Sequence, residues 1–169
     1  MTSVQSTGHV GHFDTKAALL PGAVGGLIGG MALAMFSMVV ATSRDGFWAP
    51  VRGITSVVFG DKHYGGGFEF WPVVVGAAGH MMNSVMLGVV FAVLAGMLLT
   101  RASAAVLAVA GAVFGLMVWA VMVGGVARAL QSSNLFADSV PQWAWIAGHM
   151  MFGVITGLAV SRASHSTQA

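Results

Sequence analysis

The chain has 169 residues, of which 57% are hydrophobic and only 7% are charged, and its mean hydropathy is +0.85. A soluble domain carries about 25% charged residues and, at this size, leaves about 30% of its unfolded surface in water, so the composition excludes a water-soluble fold. The seven Lys and Arg residues slightly outnumber the five Asp and Glu residues but are scattered singly, which excludes a nucleic-acid partner and leaves the lipid bilayer as the partner.

Four apolar stretches follow one another along the chain, and each is long enough to cross a bilayer, which takes about 20 residues. We predict polar tails at 1–18 and 162–169, membrane spans at 19–42, 72–99, 104–127 and 142–161, and a long loop at 43–71. The predicted fold is therefore an all-α integral membrane protein, a bundle of four transmembrane helices.

The loop at 43–71 is long for a helical bundle, and loops of this length are uncommon unless they have a function or dock on a partner. Its stretch WAPVRGITSVVFG at 48–60 combines Trp, Phe and Val with one Arg. This pattern is typical of a short amphipathic element that lies in the membrane interface. The WAW stretch at 143–145, at the start of the fourth span, likewise suits an interfacial aromatic anchor.

A repeated motif indicates that the chain contains a duplication. The stretch AGHMM at 78–82 of the second span recurs at 147–151 of the fourth, and Pro72 and Pro141 stand at matching places before the two copies. Five consecutive identities with an aligned proline point to a common origin of the two segments.

The first and third spans match as well, since GAVGGL at 22–27 resembles GAVFGL at 111–116. We therefore predict that the bundle consists of two duplicated αα hairpins, 19–99 and 100–161. Because each unit contains an even number of spans, the repeats are expected to be parallel and related by an axis along the membrane normal.

Glycine recurs at every fourth position in several spans. Small residues at this spacing let helix backbones approach closely in lipid, where little hydrophobic force draws helices together. The packing positions that we predict are Gly22, Gly26, Gly30, Gly88, Gly111, Gly115, Gly153 and Gly157, and Gly25 and Gly29 form a second ladder in the first span. This glycine-zipper pattern favours a tightly packed bundle that also forms a homo-oligomer or packs against other membrane subunits.

His80 and His149 are polar interruptions at equivalent depths of the second and fourth spans. An imidazole in hydrocarbon is costly without a partner, so an intramembrane histidine is a functional candidate. In the first of three interpretations, each ring donates to a backbone carbonyl or to Asn83 or Ser84, or the two rings bond each other, and the site only fixes helix register.

The second interpretation makes His80 and His149 the axial ligands of a haem b, whose flat macrocycle lies along the stripes of small residues that follow each histidine at a spacing of four. The third, which is weaker, assigns copper or another transition metal to the two histidines, with thioethers from Met81 and Met150. The chain has no cysteine, so thiolate ligands are excluded.

The numbers of Lys and Arg residues in the loops on the two sides of the membrane are too similar to determine the orientation of the chain. The compact turn at 100–103 and Arg162 lie directly at span ends, which favours both termini in the cytoplasm and a plasma or inner membrane location.

Catalytic motifs are missing from the sequence, and no carboxylate lies within a predicted span, so an enzyme is not favoured. The leading interpretation is a small non-catalytic packing or accessory subunit of a membrane assembly. The alternative is a b-type cytochrome that transfers electrons through His80 and His149. A metal-binding or transport protein is a weaker alternative, because the spans contain no charged residue.

Overall fold

A computed structural model of the chain describes residues 15–131 and 133–166, which form helices and connecting turns. The helices are α1 (Thr15–Ala41), α2 (Ala49–Phe59), α3 (Phe70–Leu98), α4 (Ala104–Trp119), α5 (Arg128–Leu130), α6 (Leu135–Asp138) and α7 (Gln142–Ser166), with a 3-10 turn at Asp61–His63 and a π-helix at Ala120–Ala127 that joins α4 to α5. The all-α prediction is confirmed.

Four helical segments are long and apolar enough to cross a membrane, as predicted. They are Lys16–Ala41, Phe70–Leu98, Ala104–Leu130 and Gln142–Arg162. The third segment consists of α4, the π-helix and α5 in one continuous run. The chain therefore has the make-up of a polytopic integral membrane protein in contact with the lipid bilayer.

The outer helices extend into the tails that the sequence predicts as polar. α1 begins at Thr15, and α7 continues to Ser166, and the added residues 15–18 and 162–166 contain no proline or glycine that would stop a helix. Residues 1–14 and 167–169 of the predicted tails lie outside the described part of the chain.

The four long helices pack side by side in an order that differs from their order in the sequence. α1 and α7 form the centre and pack extensively against each other, α3 packs on α1, and α4 packs on α7. α3 makes only slight contact with α4 and with α7. The two helices that carry the histidines, α3 and α7, are therefore separated for most of their length.

α1 uses its two glycine ladders to contact two different helices. A side chain at Gly26 would collide with the α3 backbone at Ser84, and one at Gly22 would come within 2.7 Å of the Gly88 carbonyl oxygen. On the neighbouring face, a Cβ at Gly29 would lie 2.8 Å from the carbonyl oxygen of Phe152 in α7. Close backbone approach to α3 on one side and to α7 on the other puts α1 in the centre of the bundle.

The contact between α4 and α7 is equally close. A side chain at Gly153 would collide with the Gly111 carbonyl oxygen, one at Gly115 with that of His149, and one at Gly157 with the α4 backbone. These glycines therefore meet within one chain, and a homo-oligomer would have to use other surfaces.

The two hairpins are not related by the axis that the predicted duplication implies. Such an axis would make the α3–α4 contact equivalent to the α1–α7 contact, but the first is slight and the second extensive. The registers also differ, since Gly26 packs at Ser84 whereas its sequence match Gly115 packs at His149, the match of His80. His80 lies four residues before Ser84, so the packing register of the two helices differs between the hairpins by four residues, or about 6 Å along the helix.

α2 packs across α3 and α1, and seven of its eleven residues are buried. The Thr55 hydroxyl donates to the Pro72 carbonyl oxygen at 2.6 Å, and the Val51 carbonyl directly contacts Gly76. The element predicted at 48–60 is thus a helix, and it is docked on the bundle at the end where α1 stops and α3 starts, which we call the long-loop side.

A single buried arginine organises the rest of the long loop. Arg52 is only 4% exposed, and its guanidinium donates to the carbonyl oxygens of His63 and Gly67 at 3.0 Å and of Tyr64 at 3.3 Å. It also forms an ion pair with Glu69 at 2.7 Å. Four bonds from one side chain hold the segment between α2 and α3 in place.

Two further polar contacts fasten the long-loop side. Gln131 donates to Ser56 at 2.8 Å and to Asp61 at 3.0 Å, which ties the end of α5 to α2 and the 3-10 turn. The Tyr64 hydroxyl donates to the Asp45 carboxylate, and burial together with this bond raises the pKa of Tyr64 above its usual range. Asp45, Arg52, Asp61, Tyr64 and Glu69 thus all use their side chains to hold this loop together.

Candidate functional site

A cavity of about 280 Å³ lies inside the bundle on the long-loop side. Its walls come from the C-terminal part of α1, the middle of α3, the π-helix and the first half of α7, and α2 covers it. Ligand sites usually measure about 300–1,000 Å³, so this cavity suits a small molecule or the head of a larger one. Both histidines that the sequence singles out line it.

Each histidine is held by a backbone carbonyl, but in a different way. Nε2 of His80 donates across the helix contact to the Gly30 carbonyl oxygen in α1 at 2.9 Å. Nδ1 of His149 donates to the Trp145 carbonyl oxygen of its own helix at 2.8 Å. Asn83 and Ser84, which we predicted as possible side-chain partners, form no hydrogen bond to either ring.

These bonds determine which nitrogen of each ring carries a proton. A carbonyl oxygen only accepts, so the protons are assigned to Nε2 of His80 and Nδ1 of His149. Among the described residues, no Lys, Arg, Asp or Glu lines the cavity, and an imidazolium there would be a charge without a counter-charge in an apolar site. We therefore assign both rings as neutral, with one bare nitrogen each.

The bare nitrogens and one amide lack protein partners. Neither Nδ1 of His80 nor Nε2 of His149 has a hydrogen-bond donor within 15–131 and 133–166. The carboxamide of Asn83, which also lines the cavity, forms no hydrogen bond to those residues. Ser37 is different, because its hydroxyl donates to Ala34 one turn back at 2.9 Å. The Ser84 hydroxyl, which also lines the cavity, forms no hydrogen bond to the described residues either. Four polar groups thus lie unpaired in walls that are otherwise apolar.

The predicted haem placement does not agree with the helix packing. The stripe after His80 is covered by α1, where Gly88 meets Gly22, and the stripe after His149 is covered by α4, where Gly153 meets the carbonyl of Gly111. A flat macrocycle therefore has no room along the stripes. The part of the chain that the structure describes also contributes no Lys or Arg to the cavity walls that could pair with haem propionates.

The predicted thioether ligands lie away from the histidine nitrogens. Met81 and Met150 are not part of the cavity wall, and Met150 is 39% exposed on the outer surface. Met122 of the π-helix is the methionine that lines the cavity. Within the described residues, no group of three or more His, Asp or Glu side chains is placed to hold a metal ion.

Aromatic residues contribute a part of the wall that the sequence did not predict. In the WAW stretch, Trp143 is 61% exposed, as an interfacial anchor would be, but Trp145 is 3% exposed and lines the cavity. Its indole N–H donates to the Ala137 carbonyl oxygen at 3.0 Å, and its ring lies 5.1 Å from Phe136 and 5.9 Å from His149. Residues two apart face opposite sides of a helix, and this spacing is the signal that separates the two tryptophans.

The π-helix is the second feature of the wall that the sequence did not predict. Four of its residues, Met122, Val123, Val126 and Ala127, line the cavity. Segments of π-helix occur frequently at functional sites, because the extra residue in each turn widens the helix and realigns its side chains.

Comparison with known proteins adds no relative to this picture. No protein family, curated protein or solved structure matches the chain. The site is therefore interpreted from its own chemistry.

Proposed function

We propose that this protein is a non-catalytic accessory protein of the membrane that binds a small uncharged molecule in the cavity beneath α2. The observation that carries the proposal is a set of unpaired polar groups in an otherwise apolar cavity, namely those of His80, Asn83, Ser84 and His149. Polar groups that face an apolar cavity instead of water gain free energy from a hydrogen-bond partner, and residues 15–131 and 133–166 supply none to these groups. A bound molecule supplies the missing partners.

The charge distribution supports an uncharged ligand. Arg52, Glu69 and Asp61 are engaged in the long loop, and none of them lines the cavity. The walls therefore provide no carboxylate for acid–base chemistry and no counter-charge for an ion.

The experiment that tests the proposal uses a small, apolar, uncharged diazirine as a photolabel on the protein in lipid nanodiscs. We expect labelled positions at 79–87 and 145–152, on the two cavity walls that carry the histidines. Leucine at position 79 (Gly79→Leu) should abolish this labelling, because Gly79 lines the cavity and a Cβ there lies 3.9 Å from its nearest neighbour, Ile54, so the side chain can fill the space without disturbing the backbone.

Gly124→Leu is the matched control, since Gly124 lies outside the cavity wall and a Cβ there meets no atom within 4 Å. It should leave the labelling as in the unmodified protein. Labels confined to the lipid-facing surface in every variant would contradict the proposal.

A b-type cytochrome is the second candidate, and one observation favours it. His80 and His149 line one cavity, and each has a bare nitrogen that could ligate iron. The covered stripes and the lack of cationic residues in the walls argue against it. The absorbance spectrum of the same nanodisc preparation tests whether haem is bound, because a bound haem would give a Soret band. We expect no such band.

We further propose that the two hairpins arose by duplication, that both termini are cytoplasmic in a plasma or inner membrane, and that other membrane subunits are partners. The AGHMM repeat and the shared use of glycine between α1 and α3 and between α4 and α7 support the common origin.

A further inference from the structure

We propose that the ligand is a lipid-soluble, uncharged molecule that carries a hydroxyl group, and that this hydroxyl donates a hydrogen bond to a bare imidazole nitrogen of His80 or His149. This inference rests on the proposed function and names the chemical class of the molecule that the cavity binds.

The direction of the hydrogen bond follows from the carbonyl partners of the histidines. Each ring donates its single N–H to a carbonyl oxygen, that of Gly30 for His80 and that of Trp145 for His149. The other nitrogen of each ring therefore offers a ligand only a lone pair. A ligand that only accepts hydrogen bonds, such as a ketone or an ether, cannot pair with either ring. A hydroxyl can pair with one ring, and it can accept in turn from the amide of Asn83.

The residues that line the cavity determine the polarity, size and charge of the rest of the ligand. Apart from the polar groups already named, the cavity is lined by aliphatic and aromatic side chains such as Leu33, Ile54, Leu87 and Phe152. A volume of about 280 Å³ holds a polar head with the first part of an apolar chain or ring. Since residues 15–131 and 133–166 place no charged side chain in the walls, a carboxylate, phosphate or ammonium head would be unpaired.

The entrance to the cavity points to the bilayer as the source of the ligand. Val58 of α2 and Val126 of the π-helix line the cavity but are also 66% and 41% exposed, which places the mouth between these two elements. Val126 is close to the end of the span Ala104–Leu130, so the mouth lies at the level where the hydroxyl of a membrane-dissolved alcohol resides.

The test is a competition experiment with three uncharged molecules of similar size. Decanol, decyl methyl ether and methyl nonyl ketone share the apolar chain, but only decanol can donate a hydrogen bond. We expect decanol to displace the cavity photolabel at a concentration about tenfold lower than the ether or the ketone needs, which is the worth of one hydrogen bond to an otherwise unpaired buried group.

Variants of the histidines identify the acceptor. His149→Phe and His80→Phe keep an aromatic ring and remove the bare nitrogen. In at least one of these variants, decanol should therefore displace the photolabel only at the concentration that the ether needs. Met150→Leu, one residue further along α7 and outside the cavity wall, is the matched control and should keep the preference.

The outcomes separate this inference from the proposed function. Cavity labelling with equal displacement by all three competitors would overturn the hydroxyl requirement and leave the binding function standing, and this comparison needs no variant. A preference that persists in both histidine variants would overturn the role of the imidazoles. No cavity labelling at all would overturn both proposals.

Discussion

Gly115→Ala is expected to lower the free energy of unfolding by about 3 kcal/mol, because the added methyl group would collide with the backbone carbonyl of His149 in α7. Backbone atoms cannot move aside as a flexible side chain does, so α4 and α7 must separate. Without hydrophobic force between helices in lipid, a lost close contact is not replaced by another. The measurement is denaturant unfolding in detergent micelles, followed by circular dichroism.

The control for this variant is the same substitution nine residues later in the same span, Gly124→Ala. A Cβ at Gly124 meets no atom within 4 Å, and alanine favours a helix over glycine by up to about 1 kcal/mol. Its stability should therefore be unchanged or slightly raised. Equal losses for Gly115→Ala and Gly124→Ala would mean that close packing of α4 on α7 does not stabilise the bundle.

Arg52→Met should destabilise the long loop by about 3 kcal/mol and make the segment between α2 and α3 accessible to protease. Methionine fills much of the same volume, but it leaves the carbonyl oxygens of His63, Tyr64 and Gly67 without their donor. Hydrogen bonds from a charged group contribute about 1.5–3 kcal/mol each, and partial replacement by water reduces their sum. Limited proteolysis and thermal unfolding together measure the effect.

Glu69→Gln separates the ion pair from the carbonyl bonds. The Glu69 side chain is 59% exposed, and ion pairs of this kind contribute under about 1 kcal/mol. This variant should be nearly as stable as the unmodified protein. If Glu69→Gln were as damaging as Arg52→Met, the ion pair rather than the carbonyl bonds would hold the loop.

The spans could be predicted from the sequence because membrane insertion depends on the length and hydropathy of each segment alone, properties that are local. The neighbours of each helix could not be predicted, although the glycine ladders are evident in the sequence. A ladder such as Gly25 and Gly29 marks a face that permits close approach, but several helices present similar small residues. Only the assembled bundle places α7 on this face and α3 on the face of Gly26.

The histidines illustrate the same limit at the level of the site. The sequence singles out His80 and His149 because each is a polar group in an apolar run, and both line the cavity. Their partners are backbone carbonyls, and every residue has one, so no side-chain pattern could have named Gly30. The cavity itself arises where α3 and α4 fail to meet and α2 folds over the gap, and these are contacts between distant parts of the chain.

The measurement that tests the account most directly is nitrogen NMR of isotope-labelled histidine in nanodiscs, with the two intramembrane signals assigned through His80→Phe and His149→Phe. Each ring should show one protonated and one bare nitrogen, with the bare nitrogen at Nδ1 in His80 and at Nε2 in His149. Addition of decanol should shift at least one bare-nitrogen signal, while decyl methyl ether leaves both unchanged. Rings that are doubly protonated, or bare nitrogens that respond equally to the alcohol and the ether, would contradict the account.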